Sequence, residues 1–278
     1  MDIVWYPGHM AAAKRQLQKE AALADAVIEL LDARIPLSSR NPDIETIFPS
    51  KPRLILLTKC SLADAKKTSY FVSKLTESGK TVIPIDCKTG KNISKIPEAI
   101  RELLAEKTAR YEAKGMTGRK LRAMVVGITN VGKSTFINAF SGTDKAKAED
   151  RPGVTRRTQW INAPGGIELL DTPGLLWHKF EDKAVGVKLA LTGAIRDEIL
   201  DLRELSYELL RYLTEGYKSA LEARYKLEVG DSDPTELFER IGRKRGFLMA
   251  GGIIDEERTA VCLLDEFRGG KIGNITLD

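Results

Sequence analysis

The run Gly127-Ile-Thr-Asn-Val-Gly132-Lys133-Ser134 constrains this chain more than any other feature. It is a full GxxxxGK[ST] match, placed directly after the apolar segment Ala123 to Val126 and before a helix-like run from Thr135 to Phe140. Strand, glycine turn and helix in that order make a phosphate cradle. The glycines let backbone amides face phosphate oxygens, and the helix adds its positive end. Lys133 is suited to neutralise β and γ phosphates and the Ser134 hydroxyl to ligate Mg²⁺, with Asn130, Val131, Gly132 and Thr135 completing the lining.

A cradle of this kind needs a parallel sheet behind it, and the pattern up to Leu176 supplies one. Short apolar runs at Ala26–Leu31, Arg53–Leu57, Thr81–Ile85, Ala123–Val126 and Ile167–Leu170 read as strands, with charge-rich helical stretches between them. The segment Ile96 to Arg122 reads as a helix followed by a basic connector. Beyond Leu176 the pattern becomes helical: Ile195, Ile199, Leu202, Leu205, Leu209 and Leu213 recur at three- and four-residue spacing. Asp233, Pro234 and Glu236 start another helix for which Gly242 is a plausible stop, and a last helix holds Ala260 to Phe267. The expected domains are therefore 1–177 and 178–278.

Composition removes several classes. With 42% hydrophobic and 30% charged residues the chain is no disordered polyelectrolyte. No run of about 18 apolar residues exists to span a membrane. Three scattered cysteines (Cys60, Cys87, Cys262) and two histidines leave no Cys/His metal cage. With no signal-like N-terminus, the expectation is a cytoplasmic protein. A net charge of +5 and a pI near 9.0 hint at a polyanionic partner.

Two further loops fit a phosphate switch. Asp171-Thr-Pro-Gly174 follows an apolar strand, so Asp171 can hold Mg²⁺ through water and the Gly174 amide can sense a γ-phosphate. Between the two motifs, Arg151-Pro-Gly-Val-Thr155 offers the Thr155 hydroxyl as a further metal ligand. What is missing downstream is a base reader, an [N/T]KxD loop at the end of a strand. Two candidate loops occur upstream instead: Thr58-Lys59-Cys60-Ser61 after RLILL, and Asp86-Cys87-Lys88-Thr89-Gly90 after TVIPI. The order of parts is rotated, which a parallel sheet tolerates if the old termini are bridged, a role open to the connector near residues 96–122.

The chain thus resembles the circularly permuted GTPases, and most closely the bacterial ribosome biogenesis GTPase A family. The resemblance rests on Trp5-Tyr-Pro-Gly-His9-Met10, on the segment from Asp32 to Pro42, on the phosphate, RPGVT and DTPG loops, and on Lys179-Phe-Glu-Asp182, Leu191-Thr-Gly-Ala194 and Lys244-Arg-Gly246. It implies an α/β, mostly parallel GTPase sheet in permuted order with a small all-α domain after it. It also implies GTP and GDP as ligands with Mg²⁺, and GTP hydrolysis at a low intrinsic rate stimulated by the immature large (50S) ribosomal subunit during late assembly. By the same resemblance Thr58, Lys59, Ser61, Cys87 and Lys88 read the base, His9 is a catalytic candidate beside Lys133 and Thr155, and Asn130 is a candidate potassium ligand.

One departure stands out. The family pattern has Asn at the position of Thr58 and Asp at that of Ser61, and a serine cannot accept from guanine N1 and N2 together as a carboxylate does. Asp64 could stand in, or could simply cap a helix start. In many GTPases a Gln after the DxxG loop orients the attacking water, but here Leu175 stands there. His9 either supplies that function or caps its own turn, and Asn130 either binds potassium or braces the loop. Basic clusters at Lys14 and Arg15, at Arg119, Lys120 and Arg122, at Arg156 and Arg157, and at Arg243, Lys244 and Arg245 suggest contact with rRNA phosphates by a chain that needs to be no more than a monomer. Two other readings stay open: a base-promiscuous or non-enzymatic nucleotide-dependent RNA-binding scaffold, and a P-loop ATPase.

Overall fold

The computed structural model describes residues 9–143, 159–177, 180 and 182–278. The chain divides into two compact units, one running to Lys179 and the other from Phe180 to Leu277.

In the first unit, α1 (His9–Glu20) is followed by β1 (Ala26–Asp32), α2 (Asp43–Ile47), β2 (Arg53–Thr58), α3 (Ala65–Glu77) and β3 (Thr81–Pro84). Then come α4 (Ile96–Leu103), α5 (Ala105–Ala113), β4 (Leu121–Gly127), α6 (Lys133–Ser141), β5 (Gln159–Ala163) and β6 (Ile167–Asp171). The strands form one sheet in the order β3-β2-β1-β4-β6-β5, parallel except for β5 on its edge. Strands β1 and β4 are buried along almost their whole length, as unbroken apolar runs in a parallel sheet should be.

The five expected strands are present. The sixth, β5, gives no sequence signal of its own, because an antiparallel edge strand needs only one apolar face: Ile161 is buried while Asn162 is exposed. The expected single helix after Ile96 breaks at Leu104, whose backbone leaves helical geometry, and Arg122 lies inside β4 instead of in the connector. From β1 the chain builds outward to β2 and β3, then returns to place β4 on the other side of β1. The strand order reverses between β1 and β4, and a crevice outside the C-terminal ends of the strands at such a point is the usual ligand position in an open α/β sheet.

The second unit is helical, with α7 (Lys183–Leu191), α8 (Leu202–Gly216), α9 (Lys218–Tyr225), α10 (Pro234–Arg245) and α11 (Glu256–Arg268). Each start that carries an aspartate is capped by it: Asp182, Asp201, Asp233 and Asp255 accept from amides of the first turn. Leu205, Leu209 and Leu213 of α8 are buried with Leu237, Phe238 and Ile241 of α10 and Leu263, Leu264 and Phe267 of α11. The apolar stripe expected from Ile195 onward is shorter than it looked, since Asp201 starts α8 and Ile199 is exposed ahead of it. Gly242 lies inside α10, which stops at Gly246. No helix among the described residues is long and apolar enough to cross a membrane.

Candidate nucleotide site

Strand β4 delivers its chain to the crevice at Gly127, where a side chain is excluded: a Cβ there would lie 2.8 Å from the Leu30 carbonyl oxygen of β1. Left-handed backbone at Asn130 (φ 53°) and Gly132 (φ 99°) then bends the loop, and α6 starts at Lys133 without a side-chain cap on its first amides. Those uncapped amides and the helix dipole favour an anion. Ser134 is half-buried and Thr135 exposed on the same first turn, while Val131 is buried beneath the loop.

Lys133 is buried, and its Nζ donates to the carbonyls of Gly127 (3.2 Å) and Ile128 (2.7 Å). Burial pulls its pKa down to about 8, with the Asp171 charge acting against the fall. Asp171, at the end of β6, is also buried, and burial pushes its pKa up to about 6 against the pull of Lys133. Among the described residues its Oδ1 has no hydrogen-bond partner. An orphaned, buried carboxylate oxygen is costly unless a cation or its hydration shell meets it, so the donor set fits a Mg²⁺ site formed with Ser134. Gly174 closes the loop from the other side: a Cβ there would come within 2.9 Å of Thr129 Cα and 3.0 Å of Lys133 Nζ. The next residue ties the two loops together, because the Leu175 amide donates to the Gly127 carbonyl at 3.1 Å. The Leu175 side chain is buried and apolar, with nothing to hold a water.

The base-side loop is stitched to the phosphate loop. The buried Thr58 hydroxyl, at the end of β2, donates to Val131 O at 2.8 Å with Leu31 O at 3.1 Å. Lys59 is left-handed (φ 58°), and its Nζ donates to Asn130 O at 2.8 Å and Asp32 Oδ2 at 2.9 Å. Asp32 is itself gripped by the Arg34 guanidinium through both carboxylate oxygens. Burial alone would raise the Asp32 pKa, but Arg34 and Lys59 hold it well below the usual carboxylate range. The Ser61 hydroxyl bonds to Asp86 Oδ2, while Asp86 Oδ1 accepts from the amides of Lys88 (2.8 Å) and Thr89 (2.9 Å). Cys87 is half-buried and burial pushes its thiol up to about 12, so it presents a neutral group; Lys88 is exposed.

The structure therefore gathers Lys133, Ser134, Asp171 and Gly174 around one loop, and joins Thr58 and Lys59 to it by hydrogen bonds. Asp64 caps α3 by accepting from Lys66 and Lys67 amides. The His9 side chain and the whole of Thr155, Arg156 and Arg157 lie outside the described residues. Asp32, Arg34 and Asn41 lie within the Asp32–Pro42 segment and Asp86 heads the second base-side loop, but the motifs give none of them an individual role; the Asn41 side-chain amide donates to Leu175 O at 2.9 Å. For Asp32, Arg34 and Asp86 a further signal is position: polar residues at or just past the ends of parallel strands.

A family model described as a 50S ribosome-binding GTPase matches residues 122–224, a span that starts after both base-side loops. Among curated proteins, the ribosome biogenesis GTPase A of Bacillus cereus is 47% identical over 278 residues, covering 100% of this chain and 94% of the relative. That of Priestia megaterium is 49% identical over 279 residues, covering 100% and 97%. Among solved structures, GNP-bound YlqF from T. maritima aligns with a TM-score of 0.66 at 28% identity, covering 96% of this chain and 97% of that one. A GDP-bound YlqF structure gives 0.68 at 27% identity, covering 95% and 98%.

Proposed function

Because the chain belongs to the ribosome biogenesis GTPase A family and is a GTP-hydrolysing enzyme of the circularly permuted kind, we propose that it drives a late step in maturation of the large (50S) ribosomal subunit. The observation that carries this reading is the buried Lys133–Asp171 pair beneath a glycine loop at the reversal of strand order, with the Thr58–Ser61 loop stitched to it. In this reading Lys133 exchanges its bonds to Gly127 and Ile128 carbonyls for phosphate oxygens, and Gly174 senses the γ-phosphate. Ser134, Asp171 through water, and Thr155 would hold Mg²⁺, which would supply positive charge to offset the negative charge developing on the phosphates. Thr58, Lys59, Ser61, Cys87 and Lys88 are assigned to the base reader, in which Thr58 and Lys59 tie the loop to the phosphate loop while Ser61, Cys87 and Lys88 are left to meet the base. Leu175 cannot position water, so His9 is assigned that role, and Asn130 that of a potassium ligand. The working form is a cytoplasmic monomer whose basic surface meets rRNA in the subunit precursor.

The test is the rate of GTP hydrolysis with and without purified large-subunit precursor, in potassium and in sodium. Stimulation by the particle, lost in Lys133→Ala, is the expected result; a rate indifferent to the particle argues against the assembly role. One feature favours a second reading: Ser61 in place of a carboxylate would suit a base-promiscuous switch, in which ATP competes with GTP on equal terms.

A further inference from the structure

Ser61 does not stand alone. Its hydroxyl is bonded to Asp86, a carboxylate only 3% exposed that follows β3 and lies on the neighbouring strand end. The other Asp86 oxygen is held by the Lys88 and Thr89 amides. Burial pulls the Asp86 pKa upward, but the Ser61 hydroxyl and the two amides outweigh it and keep the group below its ordinary value, hence ionised. An ionised carboxylate only accepts, so the proton in the contact is the serine's. A serine hydroxyl has one proton. With it committed inward to Asp86, the hydroxyl oxygen of Ser61, an exposed residue, offers only lone pairs to a ligand, and the buried negative charge behind it strengthens them.

That one-way polarity is what a guanine reader requires. The guanine edge presents N1–H and N2–H donors, whereas adenine presents a bare N1 acceptor at the corresponding place. A free serine could rotate its proton to serve either base; a serine tied to a carboxylate serves only the donor edge. The site is positioned for it, since Thr58 and Lys59 of the same loop bond to Val131 and Asn130 of the phosphate loop. Resting on the nucleotide-site reading above, we propose that Ser61 reads guanine as an acceptor and that Asp86 is the positioning residue that fixes its polarity. The carboxylate of the reader is thereby divided between two loops.

The test is equilibrium binding of fluorescently labelled GDP and ADP to the full chain, comparing the parent with Ser61→Ala, Asp86→Asn, Ser61→Asp and the Ser61→Asp/Asp86→Asn double variant. The parent should prefer GDP by about tenfold, the upper end of the scale for one hydrogen bond between neutral groups. Ser61→Ala should shrink that preference to roughly threefold or less by weakening GDP. Asp86→Asn should shrink it partly by tightening ADP, because an amide can donate to the serine oxygen and release the hydroxyl proton toward adenine. Tighter ADP binding is a change that mere loosening of the loop would not produce. Ser61→Asp alone sets two carboxylates in contact, so its selectivity should be strongly pH-dependent, while the double variant should restore guanine preference without that dependence. A parent preference that survives both Ser61→Ala and Asp86→Asn, an equal loss of GDP and ADP in Asp86→Asn, or a parent with no preference overturns the proposal. Failure of the parent to bind either nucleotide, or binding indifferent to Lys133→Ala, would instead overturn the nucleotide site itself.

Discussion

Lys133 and Asp171 are charged at neutral pH against the cost of leaving water, and the two costs have opposite pH dependence. Asp171, raised from 3.8 to about 6, contributes stability that is fully present below its unfolded pKa and lost as pH rises through about 6. Lys133, lowered from 10.5 to about 8, contributes stability that is present above 10.5 and lost as pH falls through about 8. Between those values both contributions are gone, and the ligand-free site is at its least stable. Asp171→Asn should therefore stabilise the ligand-free protein at pH 7 by roughly 1–2 kcal/mol, allowing for the attraction to Lys133 lost with the carboxylate. The gain should vanish near pH 4. Urea unfolding at the two pH values measures it, and an unchanged or lower midpoint at pH 7 would contradict the argument. Both residues were legible from their motifs, because the chemistry fixes Lys and Asp at set places in the loops. Asp32 and Asp86 carry no such mark, since each needs a partner that folding brings to it: Lys59, beside the nearby Arg34, for Asp32, and Ser61 for Asp86.

Helices show a similar divide between local signals and packing. The aspartate cap at Asp233, followed by Pro234 at the first helical position, acts within one turn and makes the start of α10 legible in the sequence, whereas the caps at Asp201 and Asp255 carry no such proline and the starts they set lie away from Ile195 and Ala260. Helix α10 has two candidate stops, Gly242 and Gly246, and only tertiary structure separates them. Gly246 is left-handed (φ 70°) with open space around it, the signature of a C-terminal stop. Gly242 is helical, and a Cβ there would fall 2.8 Å from Thr259 Oγ1 of α11 and 3.1 Å from Ile254 Cγ2. Its small size lets α11 approach. Gly242→Ala should thus cost about 1–3 kcal/mol through overpacking. Gly246→Ala should cost about 1 kcal/mol through backbone strain alone. Denaturant midpoints of the two variants give the comparison, and the reverse order would return the stop to Gly242.

Across the whole molecule, the permuted order was readable because phosphate and base loops both announce themselves at strand ends, whatever their order along the chain. The electrostatic surface was less readable, because composition counts charges without showing which are spent. Much of the basic excess is committed. Lys14 pairs with Asp43, Lys120 and Arg122 with Glu168, and Arg119 stacks on Tyr111. Within the expected Arg243-Lys244-Arg245 cluster, Arg245 turns to the buried Glu266 and stacks on Tyr225, leaving Arg243 and Lys244 exposed. These residues should therefore separate in their effects on the proposed rRNA contact. Binding to the large-subunit precursor should fall linearly in log affinity with log salt, and Arg243→Ala and Lys244→Ala should each weaken it and reduce the slope by about 1. Arg245→Ala should leave the slope nearly unchanged and lower the stability of the helical unit instead, because it strips a partner from a buried carboxylate. Particle binding across a salt series together with urea unfolding distinguishes the two effects. Equal salt slopes for all four proteins would remove the α10 end from the rRNA contact.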